Sequence, residues 1–309
     1  MRSGSQVKAA SSAAGGLPEV TVEVIASLGY HRVLSTEQVR QVHLPGRSPR
    51  RAQQLLADLE RAELVDHVEA RRSPRRLWFL AERGAELAAR TGGLERAPKL
   101  LGPREAAGPL RAHTHAVNEV GIAFLEAARE RGDECGPLAW RHEVAHPLNR
   151  GRGRARRTLF ADAVLSYLRL EESTIFLEQR FIELDRATLS VDRLAAELGR
   201  YRELRGARDK DGEPLWRRRY PVFPGVVCVL AGAAREALGR RRDLAAALLR
   251  RDPALSEQMS GAISFCLLED LRARGPFAPI FRSVAGPERP VDWLGEGEAV
   301  AGGREDDDA

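Results

Sequence analysis

The chain has 309 residues, enough for two domains, and its 43% hydrophobic content can supply ordinary cores. A formal charge of +5 and a pI near 9.5 favour a polyanionic partner. Three widely separated cysteines, Cys135, Cys228 and Cys266, exclude a disulfide framework and a paired-cysteine zinc site, and no apolar run approaches a membrane span.

Residues 1–16 are small and polar, without the apolar core of a signal peptide, and are expected to form a disordered tip on a soluble, cytoplasmic protein. Val20, Val24, Ile25 and Leu28 then share one face and predict a first helix from Leu17 to Leu28. Ser35 and Gln38 have capping-box spacing, so a second helix should start there and run to about Val42, stopped by Leu44, Pro45 and Gly46. Ser48 can cap a third helix with Pro49 in its first position. Along that helix Ala52, Leu55, Leu56, Leu59 and Ala62 form the buried stripe, which leaves Arg50, Arg51, Gln53 and Gln54 on the N-terminal and outer surface. Alternation at Leu64 to Val68 and the apolar run Leu77 to Leu80 predict two antiparallel strands. Their connection carries Arg71, Arg72, Arg75 and Arg76.

Helix, turn, basic helix and basic hairpin is the order of a winged helix-turn-helix over residues 17–90, closed by a helix from Ala81 to about Arg90. Double-stranded DNA is the partner this implies. Ser48, Arg50, Arg51, Gln53 and Gln54 are the groove-facing candidates, and Arg71, Arg72, Arg75 and Arg76 are the wing contacts to phosphate or minor groove. The position of the arginines carries more weight than their number, because Lys8, Lys99 and Lys210 are the only lysines.

Glycines and prolines between Thr91 and Pro109 mark a linker across residues 91–109. A second domain over residues 110–290 opens with a helix led by His113-Thr114-His115. Trp140 to Glu143 is a short strand, Gly151 to Arg157 form a basic loop, and strands follow at Leu159 to Leu165 and Thr174 to Asp185. A helix through Val191, Leu194, Leu198 and Tyr201, a core strand at Val222 to Leu230, a helix at Ala233 to Arg250 and a last strand at Ile263 to Leu268 complete a mixed α/β order. Residues 291–309 end in acid and read as a disordered tail.

Four features together carry a resemblance: His113 to Val120 (HTHAVNEV), the Trp140-x-x-Glu143 pair, Asp162 isolated in a strand, and Glu183-Leu184-Asp185-Arg186-Ala187-Thr188 before a helix ending in Tyr201. In this order they resemble the replication-relaxation family of plasmids and other mobile elements, whose members typically show HT-x-AVN, PDA and E-x-D-R-G-T segments. The resemblance covers about Leu28 to Tyr201 and implies a DNA-binding protein of plasmid replication, relaxation or transfer. Phe160-Ala161 precedes Asp162 in place of the expected pair, Ala187 stands where glycine is usual, and Glu197 where lysine is frequent.

Strand order and spacing in this half are also similar to the restriction-endonuclease fold, which places an Asp on one strand and Asp/Glu-x-Lys on the next. Asp162 and Glu183 match the carboxylates, and Asp185 occupies the lysine position. A third carboxylate can bind metal but cannot replace a cation. With no lysine between Lys99 and Lys210, only Arg186 is a nearby cation, and arginine is a poor base. Asp162, Glu183 and Asp185 are therefore the catalytic candidates, and Glu143, Asp162, Glu183 and Asp185 the candidate ligands for Mg2+ or Mn2+. The competing reading pairs Glu183 and Asp185 with Arg180, Arg186 or Arg193 as structural ion pairs. His113 with His115 and His142 with His146 could ligate metal only if the two segments met. Nucleotide-hydrolysis and hydride-transfer motifs are absent from the sequence.

The expected protein is a two-domain DNA-binding protein with a degenerate nuclease-like second domain. A metal-dependent nickase, and a mobile-element transcription regulator with a dimerising second domain, are the alternatives. The expected partners are duplex DNA, a second copy of the chain, and replication or transfer proteins, with no membrane.

Overall fold

The structure is a computed structural model that describes residues 16–69, 75–91, 100–102, 110–149, 157–286 and 289–295. The expected N-terminal tip, most of the linker, the basic loop at 150–156, and Arg71 and Arg72 lie outside the described residues, as does the acidic tail beyond residue 295.

The N-terminal part begins with α1 (Glu19–His31), which packs on α2 (Thr36–His43) and α3 (Pro49–Arg61). The capping box forms as its spacing predicts: Gln38 N–H donates to Ser35 Oγ at 3.2 Å, and Ser35 N–H to Gln38 Oε1 at 3.1 Å. Ser48 holds the N-cap position of α3 with Pro49 behind it, but its hydroxyl makes no capping bond. Ala52 is buried, and Leu55, Leu56 and Leu59 share a core with Val24, Ile25, Leu28, Val39 and Trp78. Ala62, expected in that stripe, is exposed instead. The helix ends at Arg61: the Ala62 N–H still makes the helical bond to the Asp58 carbonyl, but Glu63 takes a left-handed φ of 58° and the Leu64 N–H closes the turn on the Leu59 carbonyl.

Strands β2 (Val65–Glu69) and β3 (Arg76–Leu80) pair antiparallel with Val65 opposite Leu80 and Glu69 opposite Arg76. A two-residue strand, β1 (Leu34–Ser35), adds to the other edge of β3. Two residues carry no hydrophobic period, so this strand was not legible in the sequence. Helix α4 (Glu82–Thr91) follows and packs on α1.

The C-terminal part is one six-stranded sheet of β4 (Trp140–Pro147), β5 (Thr158–Glu171), β6 (Thr174–Asp185), β7 (Gly225–Leu230), β8 (Ile263–Leu267) and β9 (Arg282–Ser283), in that spatial order. β4, β5 and β6 form an antiparallel meander; β7 is parallel to β6, β8 parallel to β7, and β9 antiparallel to β8. Helices α6 (Val191–Gly206), α7 (Arg235–Arg250) and α8 (Pro253–Met259) cover one face, around Phe181, Tyr201, Cys228 and Phe265. Helices α5 (Leu110–Arg131) and α9 (Leu268–Arg274) cover the other, around Phe124, Tyr167, Ile182 and Cys266. All three cysteines are buried free thiols. β7 starts at Gly225 rather than Val222, which is 74% exposed, since Pro221 and Pro224 have no N–H for a ladder.

One irregularity of the sheet matters for function. Leu159 and Ala161 point to the α6 face, whereas Ala163, Leu165 and Tyr167 point to the α5 face. All five numbers are odd, so the two-residue alternation breaks at Asp162. Its neighbour across β4 is Glu143, which has a φ of +47° and drops out of a ladder that pairs His142 with Ala163 and Val144 with Ala161.

Candidate nucleic-acid interface and the carboxylate row

The two parts dock through buried polar groups. Asn118, fully buried on α5, donates from Nδ2 to the Val33 carbonyl at 2.8 Å. Its Oδ1 accepts from Trp140 Nε1 at 3.0 Å and bonds His142 Nε2 at 2.8 Å. An indole N–H can only donate, so the amide orientation is fixed and His142 must also donate from Nε2. Burial, with the charge of His31 second, holds His142 well below its ordinary pKa, consistent with this neutral tautomer. His31 stacks on Trp140 at 4.3 Å between ring centroids, and its Nε2 meets the Pro137 carbonyl at 2.6 Å. A Cβ at Gly121 would lie 2.1 Å from the Trp140 ring, so only glycine lets α5 approach the indole this closely. At the rim Arg32 makes a bidentate pair with Glu143 at 2.8 and 2.7 Å, and Val42 of α2 enters the apolar core of the C-terminal part. The HT-x-AVN and Trp-x-x-Glu segments therefore build the seam.

Beside the seam lies a groove of about 740 Å3 walled by both parts. Arg50, Gln53 and Gln54 of α3 line one side, Arg75 and Arg76 at the start of β3 another, and His115, Glu119 and Arg272 of the C-terminal part the third. Arg51 is exposed on α3 but is not part of this lining. Gln54 donates to Asp58 at 2.8 Å, one turn on.

The arginines of the N-terminal part divide by pairing. Arg32, Arg40, Arg61 and Arg83 each hold a carboxylate, that of Glu143, Glu37, Asp58 and Glu63 respectively. Arg50, Arg51, Arg75 and Arg76 are exposed and form no ion pair with a described acid, and neither do Arg47 and Arg90. Four unneutralised guanidinium groups on one helix start and one strand start make a local positive field.

The four candidate metal ligands have different surroundings, and no three of them bring ligand atoms within 4.8 Å of one another. Asp162 takes the place of a ladder carbonyl: its Oδ2 accepts the Leu184 N–H at 2.8 Å where the β5–β6 pairing ends, and its Oδ1 meets His113 Nε2 at 3.1 Å. Glu183 is beside it, accepting from the Tyr201 hydroxyl, and burial followed by the Asp162 charge pushes its carboxyl well above the ordinary range. Glu143 is held by Arg32. Asp185 is held by Arg241 of α7 and also accepts the Ala187 N–H at 3.1 Å. The partner of Asp185 is thus Arg241, more than fifty residues away, and not Arg180, Arg186 or Arg193. Ala187 adopts φ +56°, a conformation that glycine takes without strain.

Among the described residues one trio does converge, Glu60, Asp66 and His67, where His67 Nδ1 already bonds Glu60 at 2.7 Å. His113 reaches Asp162, His142 reaches Asn118, and His146 reaches the Tyr220 hydroxyl at 2.7 Å, so these histidines serve separate contacts. Gln38, Glu119 and Arg272 had no sequence signal beyond the capping box, because their role depends on the docking of the two parts.

The protein is thus a mixed α/β molecule with two sheets and a groove shared between its parts, and among the described residues no helix is long and apolar enough to cross a membrane. The family model for replication-relaxation matches residues 25–215, and the chain belongs to that family. No curated protein and no solved structure matches it.

Proposed function

We propose that residues 17–90 are a winged helix-turn-helix that binds double-stranded DNA, with α3 as the reading helix and the β2–β3 hairpin as the wing. The protein would act in replication or relaxation of plasmid or mobile-element DNA, in keeping with its family. The observation that carries this reading is where the unpaired arginines sit: Arg50 and Arg51 at the start of α3 and Arg75 and Arg76 at the start of β3 form no ion pair with a described acid, whereas Arg32, Arg40, Arg61 and Arg83 are each paired. An arginine left exposed beside a groove is available to phosphate, and each phosphate neutralised releases counterions. Arg50, Gln53 and Gln54 offer the fork and amide chemistry that reads base edges. The measurement is fluorescence anisotropy of a plasmid-derived duplex across a salt series. Arg50→Ala with Arg51→Ala should weaken binding about tenfold or more and lower the salt slope by about two. An unchanged slope removes the assignment.

The C-terminal part, residues 110–290, we read as a degenerate restriction-endonuclease-like domain. Helix, antiparallel meander, helix and parallel strand (α5, β4 to β6, α6, β7) support that fold, and Asp162 beside Glu183 supports descent from a metal site. Against catalysis, the lysine position holds Asp185, which is locked to Arg241, so no cation stands beside Asp162 and Glu183 where that fold places its lysine. Supercoiled plasmid incubated with either metal should stay intact. Nicking that disappears in Asp162→Ala would reinstate the nuclease.

A further inference from the structure

We propose that Arg272, supplied by the C-terminal part, is a phosphate contact of the groove, held ready by a relay that starts in the capping box of α2. This rests on the reading of the groove as a duplex-binding surface. Gln38 has two jobs. Its Oε1 closes the capping box with Ser35 N–H, while its Nε2 crosses the seam to the His115 carbonyl at 2.9 Å and to Glu119 Oε1 at 2.7 Å. Glu119, whose side chain is 10% exposed, turns its other oxygen, Oε2, to Arg272 Nε at 2.8 Å. The Arg272 side chain is 58% exposed and lines the same groove as Arg50 and Arg76. Only Nε is engaged in this ion pair, so the two terminal nitrogens of the fork remain for a phosphate oxygen pair.

The geometry gives Glu119 a purpose inside a basic groove. Glu119 accepts from one part and orients the cation of the other, and an arginine held at Nε loses less freedom when its fork closes on an anion. The binding surface is then incomplete in either part alone. A strand lying between α3 and the start of β3 meets positive charge from three sides, two of them near in sequence and one more than 190 residues away.

The test uses the full chain and the same duplex across salt. Arg272→Ala should weaken binding about three- to tenfold at low salt and lower the salt slope by about one. Gln38→Glu retains a residue able to close the capping box yet sets a carboxylate against Glu119, so it should weaken binding in the same direction while helicity by circular dichroism is kept. Adding Gln38→Glu to Arg272→Ala should weaken binding no further. If Arg272→Ala leaves affinity and slope unchanged while Arg50→Ala lowers both, this proposal falls and the duplex reading stands. If neither variant changes binding, the duplex reading fails first. Wild-type binding by Gln38→Glu would overturn the relay.

Discussion

Asn118→Ala tests the seam most directly. Asn118 is fully buried and satisfies three groups: the buried Val33 carbonyl and Trp140 indole N–H, and the part-buried His142 Nε2. Leaving one buried polar group unsatisfied costs about 1–3 kcal/mol. Two such groups, with a part-buried third that water can reach, give a loss of roughly 2–6 kcal/mol against a typical domain stability of about 5–15 kcal/mol. Urea unfolding followed by tryptophan fluorescence is the assay, because Trp140 sits in the seam itself. The midpoint should fall steeply, and the transition should broaden as the two parts cease to melt together. Asn118→Asp can still accept from Trp140 and His142 but has nothing to donate to Val33, so it should also destabilise. A change below about 1 kcal/mol in Asn118→Ala would show that the seam does not depend on this amide.

Acid should loosen the protein before its carboxylates titrate. Burial lowers His31 to about 3 and His146 to about 4, so below the ordinary histidine pKa of about 6.5 the unfolded chain takes up protons that the folded chain refuses. Stability from these two residues is full above about pH 6.5 and declines by about 1.4 kcal/mol per pH unit for each as pH falls towards 4. A urea midpoint that stays flat from pH 7 to 5 would contradict their burial. Glu183 acts with the opposite sign: its raised pKa gives stability at low pH that is lost as pH rises through the folded value. Glu183→Gln keeps an acceptor for Tyr201 and removes the repulsion by Asp162, so it should raise the urea midpoint at pH 8, with the gain shrinking towards acid. A fall of more than about 1 kcal/mol at pH 8 would mean that the ionised carboxylate is needed.

The sequence by itself determined the elements whose signal is local. Ser35 with Gln38, Pro49 after Ser48, and the three- and four-residue spacing of Ala52 to Leu59 each name a helix boundary or a buried face without reference to the rest of the chain. The order of short motifs likewise identified the family that its model supports. Short additions were not legible: β1, β9, α8 and α9 have between two and seven residues, too few to show a period.

Tertiary structure alone decided what the motif residues do. Glu143, Asp162, Glu183 and Asp185 look alike along the chain, yet one closes a rim ion pair, one completes a ladder, one shares a buried site with a tyrosine, and one is tied to Arg241. The difference arises because a carboxylate takes its role from the donors and charges that surround it, and those come from segments tens to more than a hundred residues distant. The same holds for the groove, where helix periodicity put Arg50 on a surface but only the docking of α5 and α9 set Glu119 and Arg272 across from it. Local spacing fixes which face of an element is polar, whereas long-range packing fixes which polar groups meet.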